Sequence, residues 1–162
     1  MRLFAISCAL AVVAAAPVSA KRAVQPVMTE IAFTGRVTDA AGLLVRVQKG
    51  ALEQDLAGIE ARTRRQIVVA TIPTLDGRNI NHVARDLGDR WGIGDARRDD
   101  GVVILLAPRE QMVRIAVGEG LDQVLTDAVC QRIINEVMLP EFREGRLFEG
   151  LSRGVAAINA EL

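Results

Sequence analysis

The apolar positions of this chain alternate between two periods. Leu52, Leu56 and Ile59 recur at i, i+4 and i+7, which predicts a helix over residues 46–64, with Glu60 and Arg64 as an i, i+4 ion pair. The run Gln66 to Ile72 (Q-I-V-V-A-T-I) is β-branched and continuous, ends at Pro73, and predicts a strand covered on both faces. Ile80, Val83, Ala84, Leu87 and Trp91 return to the helical period, with Asn79 placed to cap and Gly92 to stop the helix. Two apolar runs of about five residues follow, Val102 to Leu106 and Met112 to Val117, joined by a short Pro108-Arg109-Glu110 turn; they predict a β-hairpin. Thr126 is placed to cap a helix whose apolar face is Val129, Cys130, Ile133, Ile134, Val137 and Met138. Pro140 should break or restart that helix, and a last one should run from about Phe148 through Leu151, Val155 and Ile158. Upstream, Val37-Thr38 predicts a short strand before the turn formers Asp39 and Gly42.

A strand, a helix and a strand make a βαβ unit, whose crossover is expected to be right-handed with parallel strands. The hairpin adds an antiparallel strand. The expected fold class is therefore α/β: a mixed sheet of about four strands with helices on both faces, because the central strands are apolar throughout. In Met112 to Val117, Val113, Ile115 and Val117 should share one face and Arg114 the other.

The first 20 residues have a different character. Arg2 is followed by an apolar stretch, Leu3 to Ala16, and by the small-residue triplet Val18-Ser19-Ala20. This pattern predicts a signal peptide cleaved near Ala20, hence a periplasmic or secreted protein. Its apolar stretch is short of the roughly 20 residues a spanning helix needs, and no second one follows, so stable membrane insertion of the mature chain is not expected. Residues 21–33 read as a leader and residues 34–162 as one domain.

Half of the 162 residues are hydrophobic, enough for a folded core. Aromatic residues make up only 3%, with no tyrosine, which argues against stacking-based recognition of bases or sugars. Loss of Arg2 with the signal peptide leaves a near-neutral mature chain, so no nucleic-acid partner is expected. Beyond Cys8 of the signal peptide, Cys130 stands alone, and His82 is the single histidine. One cysteine allows no disulfide within the mature chain, and one histidine beside it gives a zinc site or a Cys/His or Ser/His triad poor support. Gly92 to Arg97 (G-I-G-D-A-R) follows a helix and lacks a third glycine, so it is not a dinucleotide loop.

Oxygen chemistry remains. Asp99 and Asp100 precede the first hairpin strand, and Glu119 follows the second. Antiparallel pairing alone brings these three to one edge of the sheet. Asp122 lies just beyond, and Asp127 begins the next helix, where the dipole favours a negative charge. Clustered carboxylates stay ionised together only with a cation beside them or with raised pKa values. A hard divalent cation, calcium first and magnesium as the alternative, suits such a set.

Several segments taken in order resemble the TPM-domain family: V-T-D-A-A-G-L-L, R-Q-I-V-V-A-T-I, R-W-G-I-G, R-D-D-G-V-V-I-L-L-A, V-R-I-A-V-G-E-G-L-D and L-T-D-A. The resemblance covers about residues 34–160. It implies a three-layer α/β/α sandwich, usually exported, with calcium binding ascribed to some bacterial members. Acid phosphatase activity is ascribed to a plant thylakoid-lumen member linked to photosystem II repair. The family's acidic positions fall on Asp39, Asp99, Asp100 and Asp127. Two departures stand out: D-D-G replaces the usual D-N-G or N-N-G, and G-E-G-L-D replaces G-Y-G-L-E, so that Glu119 takes the place of an aromatic ring.

Two functional expectations result. In one, the chain is an exported binding module that holds a cation with Asp39, Asp99, Asp100, Glu119, Asp122 and Asp127 and docks a protein partner in the cell envelope. In the other, it is a metal-assisted acid phosphatase acting on phosphate monoesters. There Asp100 or Asp127 would activate water or attack, and Arg114 or Arg97 would clamp the phosphate.

Overall fold

A computed structural model describes residues 31–162. The expected signal peptide and residues 21–30 of the leader lie outside the described residues. Four strands form one sheet in the order β1 (Val37–Asp39), β2 (Ile67–Thr71), β3 (Val102–Ala107) and β4 (Met112–Val117). The first two pairings are parallel and the last is antiparallel. The helices are α1 (Arg46–Thr63), α2 (Ile80–Trp91), α3 (Asp127–Arg132), α4 (Leu139–Arg143) and α5 (Leu147–Glu161).

Strand alternation splits the core in two. Ile67, Val69, Val102, Ile104 and Ile115 face α1, α3 and α5, where they meet Leu52, Leu56, Ile133 and Leu151. Ala70, Ile72, Val103, Leu105 and Ala116 face the other way, toward Val83, Ala84 and Leu87 of α2. The result is a three-layer α/β/α sandwich, as the strand hydropathy requires.

The helix positions add a feature that the strand pattern does not carry. β1, β2 and β3 step in one direction across the sheet, yet α1 and α2 cover opposite faces. The two crossovers therefore have opposite hands, and the right-handed rule holds for only one of them.

Local chemistry accounts for most element ends. The Asn79 side chain accepts the Asn81 N–H at 2.8 Å, and Thr126 accepts the Val129 N–H at 3.3 Å. Gly92 ends α2 in the left-handed region at φ +62. Arg64 does the same for α1 at φ +60, so its side chain is not the partner of Glu60. Glu60 pairs instead with Arg36 of the segment entering β1, at 2.7 Å. The helix restarts at Pro140, which sits in the first turn of α4. Residues Ile133–Met138 widen into a π-helical turn, and the Leu139 N–H reaches back to the Ile134 carbonyl. The wider turn accommodates a residue that has no N–H to give.

The residues just before the domain pack against it. Ile31 packs on the α2 side of the core, its carbonyl accepts the Trp91 indole N–H at 3.2 Å, and the Phe33 and Trp91 rings lie 5.5 Å apart. Among the described residues, no helix is long and apolar enough to cross a membrane.

Gly150 of α5 tests how closely α4 and α5 pack. A Cβ there would sit 2.4 Å from the Phe142 ring and 3.1 Å from the Met138 carbonyl. Helix propensity alone favours alanine by about 1 kcal/mol, whereas overpacking costs about 1–3 kcal/mol. We expect Gly150→Ala to lower the urea midpoint; a raised midpoint would contradict the close packing.

Candidate acidic cleft at the β3–β4 edge

The loop between α2 and β3 is built on its own carboxylates. Asp95 accepts the N–H groups of Arg97 and Arg98 at 3.0 and 3.2 Å, which turns the chain. Asp100 is only 4% exposed. One of its oxygens accepts the Asp95 N–H at 3.0 Å, and the other accepts from Arg98 Nε at 2.6 Å. Burial pushes the Asp100 pKa up, but the Arg98 hydrogen bond and the backbone donors outweigh it, so the carboxyl sits below its ordinary value. Arg98 also donates to the Arg64 carbonyl at 3.0 Å, tying the loop to the end of α1.

Asp99 points to the other side of the loop. Its backbone is left-handed, at φ +45. Its carboxylate accepts the Glu119 N–H at 3.0 Å, and its carbonyl accepts the Gly120 N–H at 2.9 Å. These bonds latch the loop to the chain leaving β4. The approach is so close that side chains are excluded. A Cβ at Gly118 would lie 2.2 Å from the Asp99 carbonyl oxygen, and one at Gly120 would lie 1.7 Å from that of Arg98.

The latch makes one wall of a cleft of about 270 Å³ lined by Asp99, Glu119 and Asp122, with Arg85 and Asp89 of α2 opposite. Hairpin pairing thus brings Asp99, Glu119 and Asp122 to one cleft, as connectivity predicts. Asp89 joins them unforeseen. Its signal was present, since Arg85 and Asp89 sit one turn apart beside the apolar stripe of α2, but sequence alone does not say which flank faces the hairpin. An adjoining hollow is lined by Arg85, Arg114, Asp122 and Asp127. There Arg114, on the α2 face of β4, pairs with Asp127 at 2.6 Å.

The remaining expected ligands are elsewhere. Asp100 is spent on Arg98 and Asp95, on the α1 side of the loop. Asp127 is 83% exposed and held by Arg114. Asp39 is at the opposite edge of the sheet. It ends β1 in register with Thr71, which pairs with Leu106 at the far end of β3. At about 3.3 Å per residue, that places it roughly 20 Å from Asp99. Its oxygens accept the Leu43 and Leu44 N–H groups at 3.0 and 2.9 Å, and the Thr71 hydroxyl donates to it as well. Burial opposes ionisation here too. These three hydrogen bonds nonetheless hold the Asp39 carboxyl below its ordinary value. Asp39 shapes the turn after β1 and does not join Asp99, Glu119 and Asp122 at the cleft.

No three carboxylate, histidine or cysteine groups among the described residues stand close enough to enclose a metal ion. The cleft offers oxygen donors around its walls and no ready-made cage. His82 is exposed on α2, and the buried Cys130 thiol is pushed up to about 11 by burial, which leaves it unreactive near neutral pH.

Comparison with known proteins places these features in a family. The TPM domain matches residues 37–161. A comparison with curated proteins finds no match. Among solved structures, the N-terminal domain of a P. gingivalis protein is 33% identical with a TM-score of 0.73, covering 80% of this chain and 82% of that one. The N-terminal domain of the cg2496 protein of Corynebacterium glutamicum shares the fold at 16% identity and a TM-score of 0.62, over 79% of this chain and 80% of that one. The BA42 protein of Bizionia argentinensis shares it at 19% and 0.64, over 74% and 81%.

Two measurements test the latch and its loops. Gly120→Ala should cost on the order of 3 kcal/mol in denaturant unfolding, because backbone stands in the way. Gly50→Ala, with nothing within 4 Å, should instead stabilise by about 1 kcal/mol. Equal effects would refute the close approach. In acid, the depressed Asp39 and Asp100 carboxyls define the sign. Their contribution is complete above the ordinary carboxylate value of about 4 and is lost as pH falls through the folded values. The urea midpoint should be flat near neutral pH and fall below about pH 4. Asp100→Asn should lower the neutral midpoint and flatten that acid limb; an unchanged acid limb would contradict the assignment.

Proposed function

The chain belongs to the TPM-domain family, and from that we propose that it is an exported binding and assembly module of the cell envelope whose acidic cleft takes a divalent cation, calcium first. The observation that carries this reading is the lining of the cleft: Asp89, Asp99, Glu119 and Asp122, with Arg85 as the one basic group. Four carboxylates against one guanidinium leave an uncompensated negative site of hard oxygens. Calcium accepts six to eight oxygens in flexible geometry, and magnesium keeps much of its water. A cleft without a preformed cage therefore suits a partly hydrated ion, held by Asp99, Glu119 and Asp122 with Asp89 from across the cleft. Cation binding would neutralise the rim and ready it for a protein partner.

This reading narrows the ligand set drawn from sequence. Asp39, Asp100 and Asp127 have other partners, so they act on the cation site only through the fold.

One observation favours a second reading. Arg85 and Arg114 lie together beside Asp122 in the adjoining hollow, and two guanidinium groups near a cation site suit the oxygens of a phosphate monoester. Against it, Asp100 is buried with both oxygens engaged, and Asp127 and Arg114 bind each other. An acid phosphatase would have to break that last pair to free either group.

Calcium titration followed by thermal unfolding tests the cation reading. A cation at 100 times its Kd that binds only the folded chain adds about 2.7 kcal/mol, a rise in Tm on the order of 8 °C for a domain this size. Glu119→Gln/Asp122→Asn should abolish the rise. Asp39→Asn should lower the starting Tm through a loss of about 1 kcal/mol yet keep the full calcium response. A response absent from the wild type, or lost in Asp39→Asn and kept in the double variant, would refute the assignment.

A further inference from the structure

The opposite edge of the sheet has a different chemistry. The row Asp39, Thr71, Leu106, Val113 crosses all four strands, and beyond it lie the turn after β1, the loop after β2 and the hairpin turn. These segments and the first turn of α1 carry Arg46, Lys49, Arg78 and Arg109. None of the four is in an ion pair among the described residues; Lys49 and Arg109 act through space on Asp39 and Glu110.

The acids of this edge are mostly turned inward. Asp39 is engaged by Leu43, Leu44 and Thr71. Glu110 accepts from the Thr74 hydroxyl at 2.6 Å and the Leu75 N–H at 3.0 Å, and its other oxygen is buried. Asp76 is exposed. Both long helices that start here, α1 and α2, have no acid in the first turn, so the positive ends of their dipoles add to the field.

Among these cations stand exposed apolar side chains. Val45 is 63% exposed, Val47 80% and Met112 47%. Exposed apolar side chains at the same edge as cations that make no ion pair among the described residues match an interface of anionic headgroups over acyl chains. The cations meet the phosphates, and the valines and Met112 enter the boundary below. A soluble acidic partner would use the cations and leave the valines without a role.

We propose that this edge is a peripheral docking surface for an anionic lipid bilayer. It would present the acidic cleft, at the other end of the strands, away from the membrane. The proposal is independent of the cation reading, since the two surfaces share no residue.

The test is co-sedimentation of the chain from Lys21 onward with vesicles of phosphatidylglycerol and phosphatidylcholine, against vesicles of phosphatidylcholine alone. At low salt, binding to the anionic vesicles should be at least 10-fold tighter and should weaken steeply with added salt. Arg78→Glu/Arg109→Glu should reduce it more than 10-fold, and Val45→Ser/Val47→Ser several-fold. Arg62→Glu/Arg64→Glu, at the other edge, should leave it unchanged. Circular dichroism confirms that each variant is folded. Equal binding to both vesicle types, no binding to either, or loss only in the Arg62/Arg64 variant would overturn the proposal. So would polyglutamate binding that rivals the anionic vesicles and ignores the valine substitutions, because that would mark a soluble acidic partner.

Discussion

The acidic cleft depends on a backbone contact. Where the Arg98 and Asp99 carbonyls meet Gly118 and Gly120, the loop before β3 and the chain after β4 approach too closely for any side chain between them. Two further glycines extend the same constraint. A Cβ at Gly101 would lie 2.1 Å from the Ile93 carbonyl, and one at Gly94 would lie 2.5 Å from the Gly101 N. Hydrogen bonds from Glu119 and Gly120 to Asp99 close the latch. The cleft is thus defined by main chain, and Asp99 and Glu119 both line it.

Much of this was legible in the sequence, for physical reasons that can be named. Antiparallel pairing of two short apolar runs admits few arrangements, and every one of them places Asp99 near Glu119. Helix period and caps were equally plain at Asn79 and Thr126, where a side-chain oxygen meets a free N–H. What failed was direction. Asp99 and Asp100 are neighbours, and nothing in D-D-G says which carboxylate turns inward to Arg98 and which faces the cleft.

Asp39 is a different kind of miss. It follows β1, Asp99 precedes β3, and the strands are parallel, so topology already sends the two to opposite edges. Family likeness groups their positions, but likeness conserves structural turns as readily as ligands. Here Asp39 holds the turn that leads into α1. The opposite hands of the two crossovers lay beyond the sequence altogether, since hydrophobic patterning shows that a helix covers a sheet without showing which face it takes.

The central claim is that a cation enters at the latch, between Asp99, Glu119 and Asp122. NMR of the isotope-labelled chain during a calcium titration tests it most directly, because each amide reports its own surroundings. The account predicts that the amides of Asp99, Gly118, Glu119 and Gly120 shift together and saturate, while those of Leu43 and Leu44 beside Asp39 stay in place. Shifts confined to the Asp39 turn, or none at the latch at saturating calcium, would contradict it.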